Sequence, residues 1–214
     1  MTDSIPTLSL LETRVLGTLV EKQHTVPDTY PLSLNALAAG CNQKTSRNPV
    51  MEASEAEILQ AVDALKEAGL VSEIFGNRVT RFAHKLDKGL GVSAQISALL
   101  AVLMLRGPQT AGELRLNCER LYKFADISSV EAFLEEMAGR ADGALVVELP
   151  RLPGSRENRW MHLLSGQPTL EAPAVGGAAR CNSQSQEVEE LRGRVTVLEA
   201  EVSELKAALA KLSG

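Results

Sequence analysis

The chain has 214 residues, a formal net charge of −5, 44% apolar residues and only 3% aromatics. That length suits one large or two small domains with a tail, and so few aromatics disfavour a base-stacking platform for single strands. Residues 1–88 carry 9 basic and 11 acidic side chains and residues 89–168 carry 8 and 9, so binding driven mainly by phosphate neutralisation is not the default expectation.

The first element is a helix. Leu8, Leu11, Val15, Leu16, Leu19 and Val20 make an apolar stripe, and Ser9 with Glu12 is spaced as a capping box. A polar connection through Pro27 and Pro31 leads to a short helix around Ser33 to Ala39, with Gly40 as its stop. The polar stretch CNQKTSRNPVMEASEAE, Cys41 to Glu57, follows. It exits into a second capping box, Ser54 with Glu57, and a helix with Ile58, Leu59, Val62 and Leu65 inward, stopped by Gly69. LVSEIFGNRVTRFAH then alternates about Gly76-Asn77, which predicts a β-hairpin with a two-residue turn.

The same order recurs. Ile96 to Leu105 predicts a helix ending at Gly107-Pro108, and Thr110 with Glu113 caps a second through Leu114, Leu116 and Leu121. Ser128 with Glu131 is spaced to cap a third, with Val130, Phe133, Leu134 and Met137 inward. Leu145 to Leu149 and Asn158 to Leu164 read as two strands around Pro153-Gly154. Three helices and a hairpin therefore occur twice, the order of a winged helix, a helix-turn-helix variant. The fold class expected is mainly α with small β-hairpins: winged-helix domains over 1–88 and 89–164, a linker over 165–186 and a coiled-coil helix over 187–214.

In that tail, Val188, Leu191, Val195, Leu198, Val202, Leu205, Leu209 and Leu212 alternate three and four apart. Valine at three a positions and leucine at every d position favour a parallel two-stranded coil. Glu187 with Arg192, Arg194 with Glu199, and Glu201 with Lys206 would attract across it. An antiparallel pair, or a helix folding back on its own domains, stays open, because so short a helix is marginal alone.

Cys41, Cys118 and Cys181 form no CxxC pair, and MTDSIPTLSL lacks a secretory pattern; with no apolar run long enough to span a bilayer, a cytoplasmic, non-membrane protein is expected. His24, His84 and His162 are dispersed, and there is no HExxH, GxSxG, GxxxxGK[ST] or GxGxxG. No enzyme and no cofactor are expected. His84 and His162 end predicted strands, where a partly exposed structural histidine is the simpler role.

Candidate contacts are basic and polar. Gln43, Lys44 and Arg47 stand in the polar stretch; Arg78, Arg81 and Lys85 on the first hairpin; Arg151, Arg156 and Arg159 on the second; Arg115, with Arg120 and Lys123, on the second helix of the second unit. Arginines at hairpin tips suit a minor groove or phosphates, or simply protect an exposed edge. Against groove reading, the third helix of each unit carries acids, Glu52, Glu55 and Glu57 at the start of one, Glu131, Glu135 and Glu136 in the other.

CNQKTSRNPV, FGNRVTRF, LRGPQTAGELR and PGSRENRWMHLLSG, in that order, resemble the signature stretches of the YceH-like family of bacterial proteins. The resemblance covers roughly residues 8–166 and implies a tandem winged-helix fold; it carries no activity, cofactor or catalytic residue. The leading expectation is a non-enzymatic homodimer, joined by the coiled coil, that binds DNA or other nucleic acid, with a regulatory role in transcription. The alternative is a scaffold that uses its winged-helix surfaces to bind another protein.

Overall fold

The computed structural model describes residues 6–75, 79–151, 154–155 and 157–167. Linker residues 168–186, the heptad leucines and valines, Gly76, Asn77, Arg78 and Arg156 lie outside the described residues.

Helix α1, Leu10–Thr25, starts at the predicted capping box: the Glu12 amide donates to Ser9 Oγ and the Ser9 amide to the Glu12 carboxylate. Thr13 to Val20 are buried without interruption, because α1 packs against α2 (Leu34–Cys41), α3 (Glu55–Glu67) and α5 (Ala94–Arg106). A Cβ at Gly17 would lie 3.0 Å from Leu105 Cγ, so glycine there lets α1 and α5 approach closely.

Strands β1 (Leu32–Ser33), β2 (Val71–Ile74) and β3 (Arg81–His84) form an antiparallel sheet in the order β1-β3-β2. Its register runs from Val71 opposite His84 to Ile74 opposite Arg81. A short helix the periodicity did not announce, α4 (Leu86–Leu90), leads into α5; α6 (Ala111–Asn117), α7 (Ile127–Ala138) and the hairpin β4 (Val146–Leu149) and β5 (Arg159–His162) follow. In the first half β1 pairs with β3 just before α2. In the second, Gln109 exchanges backbone hydrogen bonds with Trp160 of β5 just before α6. Seven helices and small antiparallel sheets among the described residues make a mixed α+β fold, and buried apolar residues from both halves join in one cluster. No helix among the described residues is long and apolar enough to cross a membrane.

Four local expectations are corrected. Gly40 is no helix stop: α2 runs on to Cys41, and a Cβ at Gly40 would sit 2.7 Å from Thr18 Cγ2, so its glycine serves close packing on α1. Asp126, not Ser128, caps α7, accepting from the Ser129 amide at 2.7 Å. Leu59 and Leu116 face outward. The buried positions of α6 are Ala111 and Leu114, and a residue two beyond Leu114 lies on the far side of a helix. His162 is buried, not partly exposed.

Candidate functional site

The polar stretch between α2 and α3 is a closed loop. Asn42 ties its ends, donating to the Ala53 carbonyl at 2.8 Å and accepting from the Ala53 amide at 2.9 Å. At its centre is Arg47, buried and only 6% exposed. Its Nε and Nη2 donate to the Gly40 carbonyl at 3.1 and 3.0 Å. Nη1 and Nη2 hold the Glu21 carboxylate at 3.2 and 2.6 Å, and Nη1 reaches the Ser46 carbonyl at 2.9 Å. A guanidinium has five N–H donors, and each has its acceptor within the fold. Arg47 is thus a cross-brace from the loop to α1 and α2, not an outward contact. Burial alone would raise the Glu21 carboxyl; the Arg47 hydrogen bonds and charge, with Lys22, override it and hold it below the usual carboxylate range.

A second guanidinium braces the same loop from below. Arg14 of α1, fully buried, donates to the Cys41 carbonyl at 3.2 Å and the Pro49 carbonyl at 2.6 Å. The loop also meets α5: the Asn48 amide donates to the Leu105 carbonyl at 2.8 Å, and Arg106 donates to Ser46 Oγ at 2.8 Å. Burial pushes the Cys41 thiol up despite Thr18 and the two arginines, and pushes Cys118 up to about 12; buried, protonated thiols are poor nucleophiles.

The remaining candidates are scattered. Lys44 is exposed, and Gln43 is half-buried and accepts from Lys22 at 3.4 Å. Arg81, though exposed, donates to the Thr29 and Pro31 carbonyls at 3.0 and 2.6 Å. Lys85 is exposed beyond β3. Arg151 donates to Asn158 Oδ1 at 2.9 Å, and Arg115 and Arg159 are half-buried with their Nε atoms out of solvent. Gln43, Lys44 and Arg47 are brought together in one loop, with only Lys44 fully outward. Among the described residues no group of three or more His, Cys, Asp or Glu is placed to hold a metal ion.

Two apolar surfaces went unread in the sequence. On the first hairpin, Phe75 is 81% exposed, beside exposed Ile74 and Val79. On the second unit, Leu116 is 66% exposed, with Tyr122 and Ile127 also outward. The outward residues of α3 include Glu55, Glu57, Leu59, Asp63 and Glu67; those of α7 include Glu131, Glu135 and Glu136.

A family model described as a protein of unknown function, DUF480, matches residues 8–155, which hold the braced loop and both strands of the first hairpin. A UPF0502 protein of Dechloromonas aromatica is 71% identical over 213 residues, covering 100% of this chain and 99% of that protein. The chain belongs to the DUF480/UPF0502 family. A UPF0502 protein of Burkholderia thailandensis is 57% identical over 204 residues, covering 95% of this chain and 87% of that one; one of Cupriavidus taiwanensis is 58% identical over 202 residues, covering 93% and 83%. The YceH-like resemblance fits this assignment.

In this DUF480/UPF0502 chain the letters alone do not show which apolar side chains are exposed. Phe75 follows Ile74, which is also exposed, and Leu116 lies between half-buried Arg115 and Asn117; only the packing shows that either side chain faces outward. Arg14 was missed for the opposite reason: it lies inside an apolar stripe where a charge suggests a solvated edge.

Proposed function

We propose that this chain is a non-enzymatic tandem winged-helix protein whose outward surfaces dock another protein, with the heptad segment joining two copies. The winged-helix reading is supported by the recurrence of helix, short strand or bridge, two helices and hairpin in both halves. The docking reading rests on one observation above all. The helices that would enter a DNA groove, α3 and α7, present carboxylates outward, where a duplex carries a phosphate charge about every 1.7 Å. With Arg47 turned inward and Phe75 outward, the two expectations exchange order. Nucleic-acid binding moves to second place, supported by the exposure of Lys44, Lys85 and Arg151.

The test is a pull-down with the full chain from nuclease-treated lysate, beside gel retardation at low salt. A stoichiometric protein partner that survives nuclease, with neither random duplex nor genomic fragments retarded, is the expected result. Retardation of duplex, with the partner lost on nuclease treatment, would return the nucleic-acid reading to first place. For self-association, light scattering is expected to give a dimer for the full chain and a monomer for one ending at Gly166; a dimer in both removes the heptads from that role.

A further inference from the structure

Resting on the docking reading, we propose that an open groove beside α6 is the seat for an acidic segment of a partner protein, anchored by an apolar side chain. The groove is shallow and open, and is lined by Arg115, Leu116, Glu119, Lys123 and Phe124. Its floor is firm: Phe124 is buried and meets the tilted Tyr122 ring at 4.9 Å and the Phe133 ring, edge-on, at 5.9 Å. Its rim is apolar at Leu116, 66% exposed.

The charge of the groove is unbalanced. Arg115 and Lys123 face a single lining carboxylate, Glu119, and exposed Arg120 follows Glu119 in the chain. Among the described residues none of the three cations makes an ion pair within 4.0 Å, and Arg115 Nε is buried without a hydrogen-bond partner. Asp126 feels the Arg115 charge, but its carboxylate is engaged by the Ser129 amide and hydroxyl. A carboxylate from outside meets the Arg115 and Lys123 charges with a charge-assisted bond, while the Arg115 Nε itself lies out of its reach. A phosphate backbone would satisfy the cations but leave the Leu116 and Phe124 wall wet. An acidic peptide with a leucine- or phenylalanine-like side chain satisfies both, in the manner of an apolar anchor with a polar rim.

The experiment places a photoreactive benzoylphenylalanine at exposed position 116 of the full chain, irradiates living cells, and sequences what is joined. The expected adduct is one segment of another polypeptide rich in Asp or Glu and carrying a large apolar residue. Arg115→Glu with Lys123→Glu is expected to cut its yield by at least about tenfold, with the melting curve unchanged. Should the double variant unfold, Lys123→Glu alone, an exposed position, is expected to lower the yield severalfold. An adduct with nucleic acid, with a second copy of this chain or with a segment lacking acids overturns the proposal. So does a yield unmoved by charge reversal, or one no higher than from the same group placed at Glu67. A nuclease-resistant partner in the pull-down that ignores Arg115→Glu with Lys123→Glu leaves the docking reading standing and removes only this site.

Discussion

Replacing Arg47 with methionine is expected to lower folding stability by about 3 kcal/mol, read as a fall in the urea midpoint at constant slope. The variant strands the Glu21 carboxylate, 16% exposed, with Lys22 at 3.3 Å as its remaining ion partner, and leaves the Gly40 carbonyl without its two guanidinium donors. Breaking one side of a buried pair costs more than the pair contributes, because the partner keeps its desolvation penalty. Arg47→Lys is expected to recover less than half of the loss: an ammonium keeps the charge but cannot reach the Gly40 carbonyl and both Glu21 oxygens as a flat fork does. Lys44→Met, three residues away and exposed, should change stability by no more than about 0.5 kcal/mol. A surface-binding Arg47 would give the reverse pattern, with stability intact and binding lost.

The same brace has an acid limb. Glu21 sits below its ordinary value of 4.5 in the folded chain, so its contribution is fully present above that value. It is lost as pH falls through the lower folded value, where the carboxylate takes a proton and releases Arg47. In Arg47→Met that limb should flatten.

What could be read from the letters divides along the range of the interaction. The boxes at Ser9, Ser54 and Thr110 are set within four residues, and the structure forms all three. The box at Ser128 fails because Asp126, two residues earlier, is the better acceptor in an extended conformation. Gly40 reads as a stop because glycine ends helices, yet Thr18, 22 positions upstream, is what requires it. The candidate site follows the same division. Glu21 and the Gly40 carbonyl meet Arg47 across 26 and 7 positions, and nothing local separates a guanidinium turned inward from one turned out. Arg14 is not legible as a buried brace because period alone assumes one solvated face, whereas α1, enclosed by α2, α3 and α5, buries eight consecutive residues. Leu116, read in line with Leu114 and Leu121, faces outward because two positions along a helix turn a side chain to the far side.

Acidification from pH 7 to pH 4 is expected to remove about 3 kcal/mol of stability through His162. The ring ends β5 opposite Val146, is 6% exposed, and has a buried Nδ1 without a hydrogen-bond partner. Burial pushes its pKa from 6.5 down to about 4, since a charged imidazolium there would lack both water and a counter-ion. The unfolded chain takes up its proton near 6.5, whereas the folded chain resists until about 4. Between those values the unfolded state binds more protons, so stability falls as pH drops, and below about 4 the loss saturates. This window opens above that of Glu21, which begins only below 4.5, so the two separate in urea melts taken at pH 7, 6, 5 and 4. His162→Leu fills an apolar seat without a titrating group and should remove the slope between pH 6.5 and 4.5 while leaving the lower limb in place. Wild-type and variant curves running parallel across that interval would mean that the ring already reaches solvent. The elements first released on protonation should be the neighbours of this strand end, the Leu163 amide bonded to the Leu145 carbonyl and the Leu8 amide bonded to Leu164. Faster amide exchange at those positions at pH 5 in the wild type, absent in His162→Leu, would place the first opening there.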